Sequence, residues 1–180
     1  MDLAFIKDPE LRNRIENAIE YIYALYEESK SDHQHKSYRQ ETYRVIILYI
    51  VSTIEAILLY FYKTRGEKIE YIEYKCIQQL SSEYRHSKKN SSPVVIAVQE
   101  KIEKKEYQIG LYDLVHFFEE KRLIQEKTAK EILEINDVRN TFHFSKRSVE
   151  HCDIEQVEKA LNLLVRTLEK APVALAKKSK

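Results

Sequence analysis

The sequence predicts an all-α fold: a bundle of four to five helices carrying a small antiparallel β insertion. Three observations predict it. Among 180 residues there are two glycines and three prolines, and so few chain breakers favour long helices over tight turns. Apolar residues recur at helical spacing in five separate segments. Between about residues 67 and 110 that spacing gives way to alternation of apolar and polar residues, the pattern of strands. The length suits one domain with its own core, so residues 1–180 are read as a single domain with the insertion at about 67–110.

The first helix is expected over residues 8–30. Asp8 can accept from the free N–H groups of the first turn, Pro9 suits the first helical position, and Glu10 favours the positive end of the helix dipole. Leu11, Ile15, Ile19, Ile22 and Tyr26 form its apolar stripe. A polar link, S-D-H-Q-H-K-S, leads to a second and more apolar helix over 38–64. Gly66 can end that helix in the left-handed conformation. The segments 68–77, 94–102 and 106–111 read as strands, with E-K-K between the last two as a hairpin link, and S-K-K-N-S-S-P at 87–93 reads as an exposed loop. Helical spacing returns over 111–121. It continues over 126–144 through Ala129, Ile132, Leu133, Ile135, Val138 and Phe142. Asp153 can cap a last helix over 154–171, whose core face is Ile154, Val157, Leu161, Leu164 and Leu168.

Composition narrows function mainly by exclusion. Lys and Arg number 30 against 29 Asp and Glu, a net charge of +1, so an anionic partner must be held by a local patch. Cys76 and Cys152 are far apart and in no metal spacing, which predicts two reduced thiols in a cytoplasmic protein. No metal or other cofactor is expected: the H-x-H pair His33 and His35 has no third ligand nearby in sequence. The N-terminus shows no signal-peptide pattern. The apolar run 45–62 is barely long enough to cross a bilayer and carries Glu55 near its centre, where a carboxylate is costly. It is read as a buried central helix, with no membrane partner.

The chemistry-bearing stretch is V-R-N-T-F-H-F, residues 138–144. Residues four apart on a helix are surface neighbours, so Arg139 and His143 share a face, and Asn136 extends the same polar seam. A guanidinium fork matches phosphate oxygens, and an imidazole exchanges protons near neutral pH. Together they suit one metal-free reaction of RNA, attack of a ribose 2′-hydroxyl on its own phosphate. In that reaction His143 serves as base, or as acid for the leaving 5′-oxygen. Arg139 holds the phosphate, and Asn140 orients either group. The alternative for the same residues is structural, Arg and His bonding to backbone or to a carboxylate on a neighbouring helix. Glu55, in an apolar helix, needs a cation or must keep its proton, and Arg139 is one such partner. Lys146 and Arg147 either contact flanking phosphates or solvate a turn. His116 reads as the edge of the core.

The order of elements resembles the HEPN superfamily. The resemblance rests on an apolar second helix with S-T-I-E at 52–55, the segment L-x-D-L-V-x-F-F-E-E-K-R-L-I at 111–124, a helix running into V-R-N-T-F-H-F, and a capped last helix. It implies a HEPN-like helical bundle and, in active members, a metal-independent endoribonuclease centre at a homodimer interface, as in toxins and anti-phage defence systems. Arg139, Asn140 and His143 match the catalytic motif, and Glu55 matches a supporting acidic position. The partners implied are RNA, a second copy of the chain, and an antitoxin or defence-system protein. One departure stands out: three residues separate Arg139 from His143, where active members have four to six. Non-catalytic HEPN domains serve as binding or dimerisation modules, and that is the alternative function.

Overall fold

The computed structural model describes residues 3–31, 35–79, 85–87, 90–93, 95–142 and 152–175. The chain forms two compact units, one of Met1–Glu67 with Gly110–Lys180 and one of Lys68–Ile109. The first holds five α-helices among the described residues: α1 (Pro9–Ser29), α2 (Lys36–Arg65), α3 (Leu111–Glu120), α4 (Glu126–Thr141) and α5 (Ile154–Leu175).

The helix starts and stops follow local chemistry. Asp8 Oδ1 accepts from the N–H groups of Glu10 at 3.0 Å and Leu11 at 3.1 Å, and Pro9 begins α1. His35 caps α2, which begins two residues earlier than its apolar spacing suggested, and Gly66 ends it in the left-handed region at φ 67°. Asp153 Oδ1 accepts from the Gln156 N–H at 2.9 Å at the start of α5. Helix α4 stops at Thr141, where the Phe142 N–H turns back to the Arg139 carbonyl at 3.1 Å.

Helix α2 is the hub, packed against α1, α3, α4 and α5. By length and composition alone it could cross a membrane. Twelve of its residues are nevertheless buried within this unit, from Thr42 to Tyr62, which accounts for its apolar character as a bundle core. Ile46, Ile50 and Ile57 have no exposed surface, and burying each such side chain contributes about 2 kcal/mol. Ile15, Ile19 and Ile22 of α1, Leu114, Val115 and Phe118 of α3 and Val157, Leu161, Leu164 and Leu168 of α5 pack into the same core. The N-terminal segment is fastened to α2: the Lys7 N–H donates to the Tyr60 hydroxyl at 2.9 Å, and Phe5 stacks on Phe61. Where α2 ends, Glu67 takes Arg65 at 2.7 Å and Lys121, just past α3, at 2.5 Å. The Lys121 hydrogen bond is the main reason its carboxyl lies below the usual range, with Arg65 adding to it against the opposing effect of burial.

The second unit is a small antiparallel element. Strand β1 (Glu70–Gln79) pairs with β4 (Val95–Glu103) from Glu70 opposite Glu103 to Gln79 opposite Val95, with a bulge between Cys76 and Gln78. Strands β2 (Arg85–Ser87) and β3 (Asn90–Pro93) pair with each other. Two sequence expectations are corrected here. Residues 106–111 are no strand: Glu106–Gln108 is a single 3-10 turn and Leu111 already opens α3. The partner of 95–103 is instead β1, more than fifteen residues upstream. The stretch expected as a loop at 87–93 supplies Ser87 and Asn90–Pro93 to the β2–β3 ladder.

Candidate functional site

Helix α4 has a narrow buried edge of Ala129, Ile132 and Asn136, with Ile135, Val138 and Arg139 half-buried beside it. The burial of Asn136 follows from spacing: it lies seven residues after Ala129 and four after Ile132, on the same face. Its Oδ1 is sealed from solvent and meets no donor among the described residues. An unsatisfied acceptor of this kind carries a desolvation cost of about 1–3 kcal/mol.

Arg139 projects from the last turn of α4 toward α2. Its Nη1 donates to Glu55 Oε2 at 3.5 Å, and its Nη2 donates to Asn140 Oδ1 at 3.3 Å. The Arg139 and Glu55 side chains are 24% and 31% exposed, so the pair is held yet open to an entering molecule. This is the partnership a carboxylate on an apolar helix requires. Two of the guanidinium's five donors are engaged in these bonds, which leaves others for an anion.

Sequence reasoning missed a third group, Arg44. It stands eleven residues before Glu55 on α2, which is three turns and within about 20° of the same face. That spacing within an otherwise apolar run is the signal that could have found it. The Arg44 guanidinium lies over the Phe142 ring at 5.8 Å from its centre, and pairs with Glu41 at 2.5 Å. It is also close enough to Cys152 to draw that thiol's pKa downward. The opposing effects win: burial first, then the Asp153 carboxylate, push the Cys152 thiol up to about 12. Arg44 is thus near the end of α4 and near the start of α5. Leu48 and Ser52, on the same face between Arg44 and Glu55, are exposed. This face of α2 is therefore an open strip about 16 Å long with a cation near each end.

His143, Lys146, Arg147 and His151 lie outside the described residues, as does His33. The structure brings together Glu55, Arg139 and Asn140, with Asn136 one turn behind. His35, the other half of the H-x-H pair, caps α2 and has its Nδ1 at 2.7 Å from the Ser37 hydroxyl. His116 is half-buried, with its ring centre 4.2 Å from that of Tyr112 and its Nδ1 3.3 Å from Glu119. No group of three metal-ligating side chains forms among the described residues.

The chain matches no family model, no curated protein and no solved structure. Functional assignment therefore rests on the geometry of this seam and on the sequence motif.

Proposed function

We propose that the chain is a metal-independent endoribonuclease of HEPN type, acting as a cytoplasmic homodimer within a toxin or anti-phage defence system. The observation that carries this reading is the pose of Arg139. At the end of α4 it is bonded to Glu55 at 3.5 Å and Asn140 at 3.3 Å, is partly open to solvent, and stands four residues before His143 in sequence. Such a guanidinium is positioned in advance, so little of its rotamer freedom remains to be lost when it grips a phosphate.

In the reaction proposed, His143 takes the proton of a ribose 2′-hydroxyl. The 2′-oxygen forms a bond to phosphorus, and the bond from phosphorus to the 5′-oxygen breaks. The imidazolium returns the proton to the departing oxygen. Arg139 neutralises the charge that grows on the non-bridging oxygens, and Asn140 orients the guanidinium. The products are a 2′,3′-cyclic phosphate and a 5′-hydroxyl. Lys146 and Arg147 are assigned to flanking phosphates, and Arg44 is added to them as a contact on α2. A neutralising antitoxin or defence protein is the expected protein partner.

Purified protein should cut single-stranded RNA in EDTA, and His143→Ala should abolish cutting with the fold intact by circular dichroism. A second reading, a non-catalytic binding or dimerisation module, is favoured by one observation: the guanidinium already has a carboxylate partner in Glu55, as a purely structural clamp would. Intact RNA under all conditions selects that reading.

A further inference from the structure

Away from the α2–α4 seam, a cavity of about 280 Å³ opens where the α3–α4 connection meets α5. This is slightly below the usual range for small-molecule sites, so it suits a small ligand. Leu58, Leu123, Ile124 and Ile132 supply an aliphatic wall, and no aromatic ring lines it. Three cations line it too: Arg122, Arg166 and Lys170. Arg166 is engaged by Glu131 at 2.6 Å. Arg122 and Lys170 meet no acidic side chain among the described residues. By contrast, a second cavity of about 460 Å³ between α4 and α5 is lined by Glu131, Glu134, Lys159 and Arg166, whose charges cancel.

Arg122 is held there at a conformational cost. It follows α3 at φ 55°, the one non-glycine residue with positive φ among those described. The Arg122 N–H bonds the Glu119 carbonyl at 2.8 Å and the Leu123 N–H bonds the Phe118 carbonyl at 2.9 Å. These are the two bonds of a Schellman helix stop, whose left-handed position normally belongs to glycine. An arginine at that place is strained relative to glycine.

We propose that this cavity binds a small amphipathic anion, an aliphatic carboxylate whose chain enters the apolar wall and whose head group meets Arg122 and Lys170. Aliphatic lining with no ring to stack on disfavours a nucleobase. The apolar wall disfavours a bare inorganic anion. The site is independent of the ribonuclease reading.

The test is calorimetric titration of the whole protein with octanoate, with octanol, adenosine monophosphate and inorganic phosphate as comparisons. Octanoate should bind saturably, raise the Tm, and bind more tightly than the other three. Arg122→Gly should weaken octanoate about tenfold, the size of a lost charged hydrogen bond. Because glycine suits the left-handed position, the ligand-free Tm of Arg122→Gly should equal or exceed wild type, which separates lost binding from lost folding. The proposal is overturned by three results: no saturable octanoate binding, binding no tighter than that of octanol, phosphate or the nucleotide, or binding unchanged in Arg122→Gly.

Discussion

Asn136→Leu should make the protein more stable and, in the ribonuclease reading, less active. The substitution keeps the heavy-atom shape of the side chain and removes an acceptor that is sealed from solvent and meets no donor among the described residues. The residue is 7% exposed, so it is set among the core groups of α4. Relief of the unsatisfied carbonyl is worth about 1–3 kcal/mol. Leucine's better helix propensity adds a few tenths, and the two slightly larger methyl groups subtract a comparable amount through crowding. The net expectation is a gain of about 1–2 kcal/mol. For a chain of this length that raises Tm by about 3–6 °C. Thermal and urea unfolding followed by circular dichroism measure the change. RNA cleavage by the same preparation measures whether the amide belongs to the seam, since a polar group kept at a cost to stability is common at working sites. A loss of more than about 1 kcal/mol would refute the reasoning: the Asn136 amide would then be making bonds that the fold needs.

Two further predictions follow from neighbouring geometry. Glu55→Arg and Arg139→Glu should each cost about 1 kcal/mol or more, and the double variant that combines them should recover part of it by about 0.5–1.5 kcal/mol of coupling. RNA cleavage should not return in the swap, because the cation has left position 139 for α2; simple additivity in the thermodynamic cycle would show that the 3.5 Å contact contributes nothing. The two cysteines should behave differently. Iodoacetamide at about pH 8 should label exposed Cys76 in the native protein and reach buried Cys152 only on unfolding. Since folding raises the Cys152 thiol from 9.0 to about 12, the folded chain keeps a proton that the unfolded chain releases. That contribution is intact below about 9 and is lost as pH climbs toward 12, by at most about 1.4 kcal/mol per pH unit. Cys152→Ala should flatten this part of the stability curve, and equal labelling of both thiols in the native state would contradict the burial.

The helical frame was legible because its signals are local. Asp8, Gly66 and Asp153 act within one turn of themselves, and the apolar stripes of α1 and α5 repeat every three or four residues. Strand pairing was not legible in that way. Residues 95–103 alternate as well against a downstream neighbour as against β1, and only the folded chain decides between them. The polar composition of 87–93 suggested a loop, although backbone pairing is indifferent to serine and asparagine at so short a ladder. At the site, the Glu55–Arg139 partnership could be anticipated because a carboxylate on an apolar helix needs a cation. The contact of Arg44 with Phe142 depends on how α2 and α4 pack, which periodicity along either helix does not encode. Arg122 gave no signal at all, since nothing in its neighbourhood marks a left-handed residue when glycine is absent.

The central claim is that Arg139 and His143 act on one phosphodiester through the ribose 2′-hydroxyl. Its most direct test is mass analysis of the ends released from an RNA of defined sequence, beside the same RNA carrying a single 2′-deoxy nucleotide at the cut site. One fragment should carry a 2′,3′-cyclic phosphate and the other a 5′-hydroxyl, with no cut at the deoxy position. Cleavage that proceeds through the deoxy nucleotide, or fragments bearing a 5′-phosphate, would contradict it.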